Sequence, residues 1–363
     1  MTYGLTTIFR RMRLPRTVLL SVGFAFVALL LVLTSATRRP ITIFMIGDST
    51  MANKDISGGK KERGWGMALQ CYFDDNIRID NHAVNGRSSL SFINEGRWDK
   101  VLDALKPGDY VVIQFGHNDE KPKADRHTEP GSTFDYNLAR FVRETREKGG
   151  IPILMNAVVR RLWTPADSTK GAADSGRNID DEALRTTIGK QDNEQQLGET
   201  HSETKMVLTD THGLYTVSPR DVAARMNVHF IDANAITHRL EDSLGVEGSK
   251  SLHMIFAPGE EPSVPKGRQD NTHYNVHGAH VVARLLADAM TQEVPVLAAY
   301  RTDADITVDK QGRGDYLSLS EAMQHVDHSK PTTMQILGGK WQKPLLPKKS
   351  KLKIVLRMGA QWE

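Results

Sequence analysis

The sequence predicts an α/β fold built on a parallel five-stranded sheet. Five short apolar or alternating runs, at residues 41–46, 77–84, 110–115, 151–157 and 228–231, are separated by stretches with helical periodicity. Strands that alternate with helices, most of them filled on both faces, imply a parallel sheet with right-handed crossovers. Several runs break off into Gly, Asn, Asp or Ser, at the carboxyl edge where open α/β sheets place their ligands. At 363 residues the chain can hold one large domain or two modest ones.

Arg10, Arg11, Arg13 and Arg16 precede an uncharged, mostly apolar run over residues 17–33, and Thr34-Ser35-Ala36 follows with small side chains. Positive flank, apolar centre and small-residue end predict an export signal over residues 1–39, and hence a periplasmic or extracellular protein. The run is a little short of the roughly 20 residues of a full span. Arg38 and Arg39 follow closely, so cleavage and retention as a membrane anchor both stay open.

The first strand, Ile41-Thr42-Ile43-Phe44-Met45-Ile46, runs into Gly47-Asp48-Ser49 and leaves a hydroxyl at its carboxyl end. A polar loop over residues 53–63 leads to a short helix at 65–73, and the second strand turns at Asn85-Gly86. Trp98, Val101, Leu102 and Leu105 make a helical stripe closed by Pro107-Gly108. The third strand runs into Gly116-His117-Asn118-Asp119. Phe134, Leu138, Phe141 and Val142 mark a helix that ends at Gly149-Gly150, ahead of the fourth strand. Residues 164–205 hold no Phe, Tyr or Trp and are dense in polar side chains, which predicts a surface insertion with little to bury. A helix over 217–226 opened by Ser218-Pro219, the fifth strand and a helix over 236–244 restore the pattern. Asp270 and His273 then precede a strong final helix with Ala279, Val282, Leu285, Leu286 and Ala289 on one face, and the domain closes near Pro295.

The hydrophobic fraction of 39% and charged fraction of 25% fit a globular protein. The net charge of +3 hides an asymmetry: residues 1–39 contribute +6 and residues 330–363 contribute +7, which leaves about −10 between them. Such a central domain presents no basic surface for nucleic acid. A single cysteine, Cys71, excludes an internal disulfide and offers no metal cluster. Its surroundings suit a core-facing helical residue.

A serine hydroxyl is a weak nucleophile that needs an adjacent base, usually a His oriented by a carboxylate. Asp270 and His273, three residues apart, can share one loop or helical turn with the carboxylate on one imidazole nitrogen. Acyl transfer also needs donors aimed at the developing oxyanion. Gly86 can present its N–H at close range, and Asn118 offers a side-chain NH₂. Each signal alone is bland: an Asn-Gly turn, an Asn-Asp cap, a helix-start Asp beside a surface His. Ser49, Gly86, Asn118 and the Asp270/His273 pair nonetheless all fall on one sheet edge.

Gly47-Asp48-Ser49, Gly86, Gly116-His117-Asn118-Asp119 and Asp270-x-x-His273 come in the order of the four blocks of the SGNH (GDSL-type) hydrolases, which the chain resembles. The wider stretches around them are similar to rhamnogalacturonan acetylesterases, over about residues 41–293. The resemblance implies a three-layer α/β/α flavodoxin-like fold with strand order 2-1-3-4-5. It implies Ser49 as nucleophile, His273 as base and Asp270 as its orienting carboxylate. The N–H groups of Ser49 and Gly86 and the Asn118 amide would form the oxyanion hole. Asp48, His117 and Asp119 would shape the loops. The reaction implied is removal of O-acetyl groups from a pectic polysaccharide, with no metal or organic cofactor; the alternatives are an esterase for acetylated xylan or other acyl esters and a non-catalytic glycan-binding protein on the same scaffold. Arg87, Trp65 and Tyr274, each beside a motif, are candidates for sugar or uronate contact.

Residues 296–363 leave the α/β pattern. Residues 304–324, with Gly312-Arg313-Gly314 at their centre, resemble the opening of a pectin methylesterase, where a strand, a Gly-rich turn and a short helix begin a right-handed parallel β-helix. Solenoids need several stacked turns to bury a core. No second activity is therefore expected, and from Lys330 onward the basic tail is expected to be either poorly folded or the product of a truncated or frame-altered second domain.

Overall fold

Alternation along the first strand sets the layers. A computed structural model of the protein describes residues 40–166 and 205–363. Strand β1 (Ile41–Gly47) sends Ile43 and Met45 to one face and Phe44 and Ile46 to the other, and each pair enters a separate core. Its neighbours are β2 (Ile77–Asn81) on one side and β3 (Tyr110–Gln114) on the other. Beyond β3 lie β4 (Ile151–Met155) and the short β7 (His229–Ile231), all parallel, in the order β2-β1-β3-β4-β7. Of the remaining strands before the final helix, β5 (Trp163–Pro165) pairs antiparallel with β6 (Met206–Leu208), and β8 (His253–Phe256) with β9 (Arg268–Tyr274).

Helices cover both faces, as a sheet apolar on both sides requires. One layer holds α1 (Trp65–Ala68), α6 (Ala233–Gly248) and α7 (Val276–Glu293); the last buries Ala279, Val282, Ala283 and Leu286. The other holds α2 (Ser89–Asn94), α3 (Arg97–Ala104), α4 (Thr133–Glu147) and α5 (Leu214–Met226), with Trp98 packed edge-on against Phe141. This is the three-layer fold expected. Helix α5 begins at Leu214, ahead of Pro219 rather than at it, because Gly213 (φ 49°) turns the chain there.

The proposed export signal or anchor lies outside the described residues. So does nearly all of the 164–205 insertion, whose two ends are brought together by the β5–β6 pair.

The carboxyl-terminal stretch corrects an expectation. After Tyr300 the chain forms β10 (Ile306–Val308), α8 (Leu319–Gln324), β11 (Thr332–Leu337), β12 (Lys340–Trp341), β13 (Leu352–Arg357) and β14 (Gln361–Trp362). Strands β10, β11 and β13 stack in parallel, and β12 stacks on β14. The corners repeat as well: Gly338 and Gly339 after β11, Met358 and Gly359 after β13, all with positive φ. Far from being poorly folded, the segment is a stack of coils. Its own core (Val308, Met334, Ile336, Trp341) is small, but Leu337 is buried in the core of the hydrolase domain itself. The coils bury apolar surface against this neighbouring core as well as against one another.

Candidate active site

Strand β1 ends because the chain must turn at Gly47, where a Cβ would stand 2.6 Å from the Gln114 carbonyl oxygen of β3. Asp48 then closes the turn: its Oδ1 accepts from the Thr50 N–H and the Thr50 hydroxyl, each at 2.9 Å. The Trp65 N–H donates to the Thr50 carbonyl (2.9 Å) and pins the far side of the same turn. Ser49 is left half-buried at the carboxyl edge of the sheet.

Its partner arrives from the other end of the domain. The ladder between β8 and β9 jumps register from Met254↔Asp270 to His253↔Tyr274, so residues 271–273 bulge out of β9. A bulge re-aims side chains, and here it sends His273 to the serine. The imidazole Nε2 lies 2.8 Å from Ser49 Oγ, and Nδ1 lies 2.9 Å from Asp270 Oδ2. Asp270 Oδ1 accepts from the N–H groups of Thr272 and His273, both at 3.0 Å. Asp270 and His273 thus sit on an interrupted strand, not on the loop or helical turn expected. Burial works to raise the Asp270 carboxyl, but hydrogen bonds from His273 and the Arg268 guanidinium outweigh it and hold the carboxyl well below its ordinary range. It stays ionised beside the imidazole.

Two more loops converge here. The Val84 N–H donates to the Gly47 carbonyl (3.0 Å), which places the 85–87 turn beside the end of β1. Gly86 occupies φ 75°, a conformation that side chains with a Cβ rarely adopt. Buried Asn118, from the loop after β3, donates its Nδ2 to the Arg87 carbonyl at 3.2 Å and so reaches the same turn. Asp119 fastens the turn's continuation by accepting from the Ser89 N–H (3.0 Å) and from the Ser89 and Thr128 hydroxyls. Burial pushes the Asp119 carboxyl up to about 7 against those hydrogen bonds.

The three candidate sugar contacts fare differently. Trp65 and Tyr274 are 0% and 1% exposed and cannot touch a substrate. Trp65 donates its indole N–H to Gln114 Oε1 (3.0 Å), and Tyr274 packs its ring against His253. Both are foundations of the loops on either side of the serine. Large aromatic rings beside a turn gain most by burial, which is why position in sequence misled. Arg87 is partly exposed but is held by Glu95 (3.1 Å) and by the Asn85 carbonyl (2.8 Å).

Sequence reasoning missed two sets of neighbours. Lys54, Glu62 and Arg268 lie along the same edge, yet isolated charges in polar loops carry no periodic signal. His117 joins a buried chain in which its Nδ1 lies 2.9 Å from His212 Nε2, and His212 Nδ1 lies 2.9 Å from Asp210. Burial, then the neighbouring His212 and Arg160, lowers the proton affinity of His117. Only the short spacing of Asp210 and His212 hinted at this. Cys71 is buried, its thiol pushed up to about 12 by burial and donating to the Arg313 carbonyl (3.2 Å). Among the described residues no group of three or more His, Cys, Asp or Glu is placed to hold a metal ion.

Fold and edge together define the class: a three-layer α/β hydrolase of the SGNH type. The chain belongs to the GDSL-like lipase/acylhydrolase family, whose pattern matches residues 45–281, and is a carboxylic-ester hydrolase. It is 33% identical over 255 residues to the rhamnogalacturonan acetylesterase RhgT of Bacillus subtilis, covering 70% of this chain and 91% of that one. It is 28% identical over 254 residues to the probable rhamnogalacturonan acetylesterase YesY of the same organism, covering 69% and 92%. The crystal structure of Bacillus subtilis YxiM shares the fold, with a TM-score of 0.50 and 24% identity over 70% of this chain. The chain spans 56% of the length of that structure.

Proposed function

We propose that this protein removes O-acetyl groups from a pectic polysaccharide of the rhamnogalacturonan type through an acyl-enzyme on Ser49. The observation that carries the mechanism is the unbroken series Ser49 Oγ, His273, Asp270, with contacts of 2.8 and 2.9 Å. Ser49 Oγ attacks the acetyl carbonyl while its proton passes to His273 Nε2. The N–H groups of Ser49 and Gly86 and the Asn118 amide receive the oxyanion. His273 returns the proton to the departing sugar hydroxyl, which leaves an acetyl ester on Ser49. Water then repeats the cycle, giving acetate and free serine. The pectic substrate is supported by the names of the two relatives that the chain covers almost entirely. Export to the periplasm or cell exterior is supported by the charge and apolar pattern of residues 1–39.

Acetate release from acetylated rhamnogalacturonan, acetylated homogalacturonan and acetylated xylan tests both parts. Wild type is expected to act fastest on rhamnogalacturonan, and Ser49→Ala to lose about four orders of magnitude or more. Equal rates on the three polymers would remove the pectic preference and leave a general acetylesterase. A Ser49→Ala protein as fast as wild type would remove the mechanism.

A further inference from the structure

Three charged side chains that the mechanism does not use form a bridge between its two halves. On the oxyanion side, the Lys54 ammonium donates to Asn85 Oδ1 at 2.8 Å, one residue before Gly86. The same nitrogen pairs with Glu62 Oε1 at 2.8 Å. The other oxygen of Glu62 pairs with Arg268 Nη1 at 2.7 Å. Arg268 Nη2 then donates to Asp270 Oδ2 at 2.6 Å, the very oxygen that faces His273 Nδ1. The Lys54 side chain is 4% exposed, that of Glu62 20% and that of Arg268 29%. A buried ammonium tolerates its desolvation only when it is paired and hydrogen-bonded, so the bridge is fixed from one end to the other.

We infer that Lys54, Glu62 and Arg268 are positioning residues that set the triad carboxylate and the oxyanion turn relative to each other. Arg268 occupies the donor position beside His273 on Asp270 Oδ2, so the carboxylate cannot rotate away from the imidazole. Glu62 holds the Arg268 fork in place. Lys54 transmits that placement to Asn85 and thus to the Gly86 N–H. The inference rests on the proposed roles of Ser49, His273 and Asp270, but not on the identity of the polysaccharide.

Charge makes the bridge testable by sign. The titratable or charged groups facing His273 are Asp270 and Arg268 from β9, Asp48 from the end of β1, Glu62 from the loop before α1 and His117 from the loop after β3. Removing a cation from this set favours the imidazolium; removing an anion disfavours it. The measurement is the pH dependence of kcat/KM for 4-nitrophenyl acetate, a neutral ester that needs no sugar subsite. The acidic limb is expected to move to higher pH in Arg268→Gln and to lower pH in Glu62→Gln. These variants and Lys54→Met should each also lose about tenfold or more in kcat/KM. In the double variant Lys54→Met/Arg268→Gln the loss should fall short of the product of the single losses by at least about fivefold, because both act through Glu62.

Arg268→Lys keeps the charge but not the fork. It should leave the limb at the wild-type pH while lowering kcat/KM, and it serves if the Gln variant does not fold. Limbs that stay in place or all move the same way, a limb that moves in Arg268→Lys as in Arg268→Gln, or fully multiplicative losses would each overturn the bridge. Ser49→Ala in the same assay separates the two claims. If it is inactive and the sign pattern is absent, the bridge alone fails; if it is active, the reading of the site fails with it.

Discussion

Asp119 shows how much one buried carboxyl can weigh at the residue scale. It is fully buried, and its ordinary value of 3.8 is pushed up to about 7, chiefly by burial. Below about pH 4 the carboxyl is protonated both folded and unfolded, and its contribution to stability is fully present. Between about pH 4 and 7 the unfolded chain releases the proton while the folded protein keeps it. Stability then falls as pH rises, by up to about 1.4 kcal/mol per pH unit. Asp119→Asn imitates the protonated form and should flatten that slope. Urea unfolding at pH 4.5, 5.5 and 6.5 reads it directly; parallel curves for the two proteins would show that Asp119 does not hold its proton. At this scale the grouping of Ser49, His273 and Asp270 was legible, because Gly47-Asp48-Ser49 leaves a hydroxyl at a strand end and Asp270-x-x-His273 keeps a carboxylate close to an imidazole. Lys54, Glu62 and Arg268 were not, since their meaning comes from contacts between three distant segments. Trp65 and Tyr274 were misjudged because adjacency to a motif says nothing about which way a ring points.

Among the elements, helix α7 is the one whose placement decides the site. Its stripe of Ala279, Val282 and Leu286 was plain in the periodicity. Strands β8 and β9 were not, because the Asp-Asn-Thr-His run is polar and its pairing is interrupted by the bulge. The helix is anchored beside that bulge by Asn275, which caps the Gly278 N–H (2.9 Å) and donates to the Ser251 and His253 carbonyls. Gly278 allows the approach: a Cβ there would lie 1.9 Å from the Leu252 carbonyl oxygen. Glycine to alanine inside a helix ordinarily gains up to about 1 kcal/mol. At this position the sign reverses, because backbone rather than a flexible side chain must yield. Gly278→Ala should cost about 3 kcal/mol or more, at the upper end of overpacking effects, and lower esterase activity as the bulge shifts. Denaturant unfolding with kcat measured in parallel checks both; a variant as stable as wild type would show that α7 can slide without strain.

For the whole molecule, the decisive contacts are those that make the coil stack part of the hydrolase. Residues 41–363 form one compact unit, and the hydrogen bonds that join the coils to the hydrolase involve charged side chains. Arg357 donates to the Phe73 carbonyl, to Gln335 Oε1 at 2.6 Å and to Asp75. The Met358 N–H meets the same Asp75 at 2.8 Å. Arg63, 3% exposed, donates to the Gly312 carbonyl at 3.0 Å while its own N–H bonds to the Tyr274 carbonyl. Arg63 therefore ties the coils to the strand that carries His273. The sequence offered the opening of a solenoid but no sign of where it would rest, because a docking face is a property of two surfaces and not of a spacing. Removing one of these anchors separates the alternatives of an appendage and an integral part. Arg357→Ala leaves the Phe73 carbonyl and Gln335 Oε1 without their charged donor. Hydrogen bonds to charged groups contribute about 1.5–3 kcal/mol each, so a loss of about 2–4 kcal/mol is expected, in a single unfolding transition followed by both tryptophan fluorescence and esterase activity. Loss of stability confined to an early fluorescence change, with activity surviving to the wild-type midpoint, would instead make the coil stack an independent appendage.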